Sequence, residues 1–173
     1  MAAIGDVPPP DEQSLHYLDE PVHPDVVALT AYWHEKRGAR AMPDRGDISP
    51  GEIVRFLPNI SISEAIDGGR DFRLRIFGTA LVALIGREAT GMLYSELAGD
   101  PRVMFRPVAA RSRLLALSKT AFQLRRPVFA SGRFVNMIHR SLEWHSFSSP
   151  LTAGGGDIAQ MFGAVFVVER PEV

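Results

Sequence analysis

Apolar and polar positions follow a helical period near the start of the chain. Residues 23–25, His-Pro-Asp, are typical of a helix start, because proline suits the first turn and an acid suits the positive end of the helix dipole. Gly38 is typical of a helix stop. The apolar residues between these signals that share one helical face are Val26, Leu29 and Trp33. This pattern predicts a helix over Pro24–Arg37, and capping-box spacing at 49–52 predicts a second, short helix that ends at Pro58.

From Asn59 onward the apolar residues alternate with polar ones, which is the period of a half-buried strand. Two such segments flank Asp67-Gly68-Gly69, a sequence typical of a hairpin turn. In the second segment, the residues predicted on the buried side are Phe72, Leu74 and Ile76. Further strands are predicted at 128–135, 138–148 and 158–168. The last strand is apolar on both faces, which favours a central position in the sheet.

Helical patterns also occur between the strands, at 79–85, around 93–97 and at 107–124. The longest has an apolar stripe of Leu114, Leu117 and Ala121, and the arginines expected outside that stripe are Arg111, Arg113 and Arg125. A leading helix, two strands, several helices and three strands together predict an α+β fold.

Composition limits both the size of the fold and its partners. The chain has 173 residues, of which 46% are apolar, and this suits a flexible tail at 1–14 and one domain at 15–173. A formal net charge of −1 provides no basic surface for nucleic acid or anionic membranes. There is no apolar run of about 18 residues and no signal-peptide pattern, so we expect a cytoplasmic protein.

Several short motifs together resemble a bacterial family of short, stand-alone PAS-type proteins formerly of unknown function. The resemblance covers residues 24–168, and its motifs are Tyr32-Trp33, Lys36-Arg37-Gly38, Met42-Pro43-x-Arg45, Asp47-Ile48-x-Pro50, Leu57-Pro58, Arg70 to Arg75, Gly78-Thr79 and Gly86-Arg87-x-x-x-Gly91. It implies five antiparallel strands in the order 2-1-5-4-3, with helices on one face and an N-terminal helix. It also implies a sensory or protein-interaction module whose leading helix, Pro24–Arg37, pairs two copies of the chain.

The ligand pocket expected of such a module lies between the sheet and the short helices. Residues predicted to bind a small apolar or mixed ligand there are Met92, Tyr94, Phe105, Phe122, Trp144 and His145, together with Arg45 and Arg75. Because no effector domain is recognised on the chain, a protein partner in a signalling pathway is expected to produce the output. For the two arginines, ion pairing that orders the Met42–Ser49 loop is the competing interpretation.

The residues identify no cofactor. Zero cysteines exclude a flavin or chromophore that reacts with a thiol, and they leave no thiolate for a metal. Haem is disfavoured because Pro107–Leu124 contains no histidine, whereas haem-binding members of the family that the chain resembles take an axial histidine from that helix. Met104 or a strand histidine stays open as a substitute ligand, and so does a noncovalent flavin. Gly154–Gly156 leads into a strand and lacks the ending of a phosphate loop, so we expect a flexible hairpin loop.

Two other functional classes stay open. A small acid–base enzyme would use His139, Glu143 and His145, which alternate onto one face of a strand, although these three residues alone make an incomplete metal site. A structural adaptor would have its cavity filled by Phe105, Phe122 and Trp144 and would bind no ligand.

Overall fold

The computed structural model describes residues 15–103, 112–135 and 141–169. They form one antiparallel sheet of six strands in the order β1-β4-β5-β6-β2-β3. The strands are β1 (His16–Leu18), β2 (Ile60–Ile66), β3 (Asp71–Phe77), β4 (Val128–Val135), β5 (Ser141–Thr152) and β6 (Ile158–Glu169). The prediction of a central last strand is confirmed, since β6 lies between β5 and β2.

Four α-helices accompany the sheet in the described part of the chain: α1 (Pro24–Arg37), α2 (Thr79–Ile85), α3 (Tyr94–Gly99) and α4 (Arg113–Leu124). Three 3₁₀-helical segments connect α1 to β2, at Arg45–Asp47, Pro50–Glu52 and Val54–Asn59. None of the helices in these residues is long and apolar enough to cross a membrane.

The predicted limits of α1 are confirmed. His23 caps the helix, since its Nδ1 accepts a hydrogen bond from the Asp25 backbone N–H at 3.2 Å. The predicted face is buried, and Trp33 also donates from Nε1 to the Pro150 carbonyl on β5 at 3.0 Å. Local start and stop signals therefore fixed the helix, and its apolar face fixed its packing against the sheet.

The sheet is covered on both faces. Residues of β5 alternate, so that Trp144, Ser146 and Ser148 face α4, whereas His145 and Phe147 face α1. On the adjacent β6, Phe166 lies on the α1 side, where it stacks with His23 at 5.1 Å between ring centroids. Helices α2 to α4 lie on one face as expected, and the N-terminal helix covers the other.

Three local expectations need correction. The sheet has six strands instead of five, because β1 adds to the free edge of β4. A register shift between Ile62 and Ser63 changes the side-chain direction along the β2–β3 pair, so that Phe77 is buried and Ile76 is 42% exposed. The capping box predicted at 49–52 does not form, since Ser49 makes no side-chain cap and the segment is only a 3₁₀ turn.

Candidate ligand-binding site

A cavity of about 90 Å³ lies between the α4 face of the sheet and helices α2 to α4. Each of these elements contributes to its wall, and so does Leu15 just before β1. The apolar lining residues are Leu15, Phe77, Leu81, Leu84, Ile85, Leu97, Val103, Leu114, Leu117, Trp144 and Val165. An apolar concave site of this kind binds the hydrophobic part of a small molecule.

Three polar side chains join this apolar wall: Ser61 on β2, Ser146 on β5 and Arg113 on α4. The Ser146 hydroxyl donates to the Ala130 carbonyl at 3.5 Å, a long hydrogen bond. A few polar groups in an apolar pocket fix the orientation of a ligand and discriminate between ligands.

Arg113 was expected on the outside of its helix and is instead buried, with 8% of its surface exposed. Its Nη1 donates to the Arg133 carbonyl on β4 at 3.2 Å, and its guanidinium lies 5.7 Å from the centre of the Trp144 ring. Burial lowers the pKa of Arg113. The i, i+4, i+8 spacing of Arg113 with Leu117 and Ala121 was the signal in the sequence that could have revealed this placement.

Trp144 forms part of the cavity wall, as predicted, and glycine makes room for it. Gly132 on β4 lies directly opposite Trp144, and a Cβ atom there would approach the indole ring to 2.6 Å. The position of Trp144 therefore depends on the absence of a side chain at 132.

Tyr94 is buried beside the cavity and is not one of its lining residues. Its ring packs on Phe72 with 5.8 Å between ring centroids. Burial raises the pKa of the Tyr94 phenol, and the nearby hydroxyls of Ser63, Ser61 and Ser118 oppose that rise. Ser63 Oγ is itself buried with no hydrogen-bond partner among the described residues. Tyr94 thus adds polarity to the layer behind the cavity.

Two other predicted pocket residues also lie outside the lining set. Met92 is half-buried, and its carbonyl accepts a hydrogen bond from the Leu74 backbone N–H at 2.9 Å. Phe122 is half-buried on α4 and packs against Phe72, 6.2 Å away between ring centroids. The prediction for Phe105 lies outside the described residues.

The predicted arginines have structural contacts away from the cavity. Arg45 donates from Nη1 to the Ile48 carbonyl at 3.2 Å, within the loop that it was suggested to order. Arg75 is exposed on β3 and donates from Nε to Glu64 Oε2 at 2.9 Å. Neither residue lines the cavity.

His145 lies on the opposite face of the sheet from the cavity. Its ring is 5.5 Å from that of His23, and its Nε2 is 2.9 Å from Glu143 Oε1. Burial lowers the pKa of His23, and the nearby His145 lowers it further, whereas Asp25 opposes the change. This cluster packs beneath the start of α1, so His145 cannot share a site with Trp144, and His139 lies outside the described residues.

The glycine loop between β5 and β6 binds the carboxylate of Asp44, a residue of the same chain. Asp44 Oδ2 accepts hydrogen bonds from Gly154 N at 2.6 Å, Gly155 N at 3.2 Å and Thr152 Oγ1 at 3.0 Å. Asp44 Oδ1 accepts another from Gly46 N at 2.9 Å. These donors, with those of Gly46 and Gly155 contributing most, lower the pKa of Asp44 to about 2. The motif around Asp44 therefore closes the fold instead of forming a binding site.

The described part of the chain contains no cluster of side chains that would form a metal site. Groups of three or more His, Asp or Glu residues placed to hold a metal ion do not occur among residues 15–103, 112–135 and 141–169. The Glu143–His145 pair is the nearest approach to the predicted acid–base cluster there.

The sequence matches the family model of the PAS domain over residues 22–166. The chain belongs to the PAS domain family. The prediction of a PAS-type domain from the short motifs is confirmed, and the sheet and helices described above are those of a PAS fold. No curated protein matches the sequence significantly.

Several solved structures are similar to this PAS domain at low sequence identity. An RNA-binding light-oxygen-voltage receptor is 17% identical with a TM-score of 0.48, covering 91% of this chain and 39% of its own. The PAS domain of Bordetella pertussis BvgS is 17% identical with a TM-score of 0.47, and the match covers 69% of this chain and 83% of the BvgS chain. Vibrio cholerae VqmA in a ligand–DNA complex is 13% identical with a TM-score of 0.49, and the match covers 69% of this chain and 51% of the VqmA chain. The chain thus spans well under half of the receptor.

Proposed function

We propose that this PAS domain is a sensory module that binds a small ligand and changes its interaction with a protein partner in the cytoplasm. The observation that carries the proposal is the cavity, whose apolar wall is interrupted by Ser61, Ser146 and Arg113. An apolar pocket with a few convergent polar groups is the usual form of a small-molecule site.

The cavity volume limits the size of the ligand. It measures about 90 Å³, whereas sites for drug-sized ligands are roughly 300–1,000 Å³. A haem or a flavin would therefore require the walls to move apart. A compact molecule of a few carbon atoms fits the volume as it stands.

Side chains along β5 and β6 alternate between the cavity and α1, and this alternation gives a route by which a ligand could affect α1. Trp144 and Val165 line the cavity, and their chain neighbours His145 and Phe166 contact His23 at the start of α1. A ligand that moves β5 or β6 would therefore alter the packing of α1 on the other face. Such a ligand would shift the population of α1 arrangements that a partner recognises.

Native mass spectrometry of the freshly purified protein tests the proposal, with denaturing mass spectrometry to identify any molecule released on unfolding. We expect a stoichiometric small molecule with a mass compatible with the cavity. A clean apo mass that persists after incubation with a small-metabolite library would overturn the sensor proposal and favour the ligand-free adaptor.

A cavity-filling variant provides the matched control. Val165→Phe adds a ring at the cavity wall, and we expect it to fold and to lose the bound molecule. Leu124→Ala changes a residue that is 50% exposed at the end of α4, and it should retain the molecule. Retention of the ligand by Val165→Phe would place the binding site elsewhere.

The homodimer through α1 is part of the same proposal. The inner face of α1 packs on the sheet, and the apolar residues left outside include Val27, 44% exposed, and the preceding Val22, 65% exposed. We expect Val27→Glu to weaken the dimer in light scattering after gel filtration, with Glu35→Gln on the same exposed surface as control. A wild-type protein that is only monomeric would contradict this element.

The acid–base enzyme gains no support from the described residues. Glu143 and His145 lie on the face of the sheet opposite the cavity, so a substrate in the cavity would not reach them. Proton transfer requires the catalytic group within hydrogen-bond reach of the substrate.

A further inference from the structure

Five hydroxyl groups come together at the wall of the cavity and in the layer behind it. They belong to residues that are each at most 2% exposed: Ser61 and Ser63 on β2, Tyr94 on α3, Ser118 on α4 and Ser148 on β5. The phenol of Tyr94 lies near the hydroxyls of Ser61, Ser63 and Ser118. Ser118 and Ser148 form a hydrogen bond with 3.3 Å between their Oγ atoms. These five residues are the hydroxyl cluster of the protein.

A glycine in the middle of the sheet leaves room for the hydroxyl cluster. Gly163 on β6 pairs with Ser61 on one side and with Ser148 on the other. A Cβ atom at 163 would approach Ser61 Oγ to 2.8 Å. The space beside the Ser61 hydroxyl therefore depends on the absence of a side chain at this position.

The hydroxyl cluster has hydrogen-bonding capacity that its own members do not use. Ser63 Oγ is buried and has no hydrogen-bond partner among residues 15–103, 112–135 and 141–169. A buried hydroxyl without a partner costs free energy. Each hydroxyl donates one hydrogen bond and accepts up to two, so one additional hydroxyl group would let the members of the cluster pair more completely.

Ser61 connects the hydroxyl cluster to the cavity, since it also lines the cavity wall. The other two polar side chains of the described lining are engaged by backbone carbonyls. Ser146 donates to the Ala130 carbonyl at 3.5 Å, and Arg113 donates to the Arg133 carbonyl at 3.2 Å. Ser61 is therefore the lining residue at which the polar end of a ligand would meet a group of further hydroxyls.

We propose that the cavity binds a small alcohol, whose hydroxyl group hydrogen-bonds to Ser61 and extends the hydroxyl cluster. This inference rests on the proposed ligand-binding function and names the chemical class of the ligand.

The chemistry of the cluster suits a hydroxyl group in particular. Burial raises the pKa of the Tyr94 phenol, so the phenol keeps its proton and acts as a hydrogen-bond donor. A ligand hydroxyl both donates and accepts, and linked hydroxyls strengthen one another in an interior of low dielectric constant. The apolar side chains of the wall, among them Phe77 and Leu117, would contact the hydrocarbon part of the alcohol.

The test is a titration of the full chain with n-butanol and with n-butyl chloride, followed by methyl NMR of the cavity residues Leu81, Ile85 and Leu117. The two probes have nearly the same size, but chlorine donates no hydrogen bond. The measured quantity is the ratio of the Kd of n-butyl chloride to the Kd of n-butanol. We expect saturable shifts with n-butanol, and we expect Ser61→Ala to lower this ratio about fivefold, the order of one neutral hydrogen bond.

Ser63→Ala separates a binding role of the cluster from a purely structural one. The variant loses a buried hydroxyl that has no partner among the described residues, so without a probe its urea midpoint should equal or exceed that of wild type. The ratio of the two Kd values should nevertheless fall, because the cluster behind Ser61 is weakened.

A buried serine on the other face of the sheet provides the matched control. Ser149 on β5 is fully buried, and its hydroxyl donates to the Phe162 carbonyl at 3.0 Å. Its neighbour Ser148 faces α4, so Ser149 faces away from the cavity. Ser149→Ala should lower the urea midpoint, because it removes a hydrogen bond that is made, and it should leave the ratio of the Kd values unchanged.

Several results would overturn the inference: an unchanged ratio in both Ser61→Ala and Ser63→Ala, an equal fall of the ratio in Ser149→Ala, or no saturable shift with n-butanol. Saturable binding of n-butyl chloride alone would refute the alcohol class and leave the ligand-binding function standing. The mass-spectrometry experiment judges that function independently, since it assumes no ligand chemistry. Release of a molecule without a hydroxyl group in that experiment would support the function and refute the alcohol.

Discussion

Asp44 stabilises the fold by accepting four hydrogen bonds, two of them from the glycine loop between β5 and β6. Successive backbone N–H groups in such a turn form a concave site for an anion. The three glycines have φ values of +78° to +87°, a region that other residues rarely adopt. The glycines are therefore required for the turn that receives the carboxylate.

The pH dependence of Asp44 gives the first prediction. Its pKa falls from 3.8 in the unfolded chain to about 2 in the fold, so its stabilising effect is complete above pH 4 and is lost as the pH falls towards 2. We expect Asp44→Asn to be less stable than wild type at pH 7, with the difference disappearing near pH 2. Urea unfolding at a series of pH values measures this, and Asp157→Asn in the exposed part of the same loop is the control.

Gly132 is the second residue whose role can be tested directly. An alanine Cβ would meet the Trp144 ring at 2.6 Å, and the ring cannot move away without disturbing the cavity wall. We expect Gly132→Ala to lower the free energy of unfolding by about 1–3 kcal/mol, the usual cost of overpacking. Gly99→Ala, where a Cβ meets nothing within 4 Å, should have little effect in the same urea titration. Equal stability of the two variants would contradict the packing argument.

The positions predicted correctly from the sequence are those that depend on neighbouring residues along the chain. Trp33 follows from helical spacing, and its burial is confirmed. Arg113 was misassigned because its charge suggested solvent, although its spacing placed it with Leu117. The bond between Asp44 and Gly154 joins positions 110 apart, and no local pattern indicates such a contact.

The start of α1 is sensitive to acid. His23 caps the helix through an unprotonated Nδ1 and packs near His145, Phe166 and Asp25. Because burial first and His145 second lower its pKa below 6.5, the folded state binds fewer protons than the unfolded state, and stability falls as the pH drops below about 6.5.

A capping residue that does not titrate should remove this part of the pH dependence. Asparagine is a good helix cap, so we expect His23→Asn to retain α1 and to lose less stability than wild type between pH 7 and pH 5. Thermal unfolding followed by far-ultraviolet circular dichroism at several pH values measures the difference. An identical pH profile for both proteins would show that His23 is not the group responsible.

Strand β1 closes the sheet at one edge and the cavity at one wall. Its three residues pair with β4, Tyr17 hydrogen-bonds with Thr120 on α4 at 2.9 Å, and the adjacent Leu15 lines the cavity. The pattern of the sequence did not reveal β1, because three residues are too few to establish a period. Longer elements such as α1 and β6 have enough residues to do so.

Removal of residues from the N-terminus tests both the edge and the predicted domain boundary. Deletion of 1–14 should leave the unfolding midpoint unchanged, whereas deletion of 1–18 should lower it and expose the β4 edge to pairing with other chains. Differential scanning fluorimetry and light scattering report the two effects. A lowered midpoint for the shorter deletion would move the domain boundary towards the start of the chain.

At the scale of the whole molecule, one sheet separates two different environments. One face contains the cavity with Arg113, and the other contains α1 and the cluster of His23, His145 and Phe166. The family resemblance predicted the order of the five main strands, and the structure has that order with β1 added. It did not predict which side chains reach the cavity, since that depends on packing between elements distant in sequence.

The bonds of Asp44 also have a consequence for the kinetics of folding. The carboxylate joins the loop between α1 and β2 to the turn before the last strand, a separation of 108 to 111 residues. Contacts at this separation require the closure of a long loop and are expected to form after the rate-limiting step. Asp44→Asn should therefore increase the unfolding rate and leave the folding rate nearly unchanged in a chevron measured at pH 7. Asp44 would then set how long the native state persists, while the speed of folding depends on the rest of the sheet.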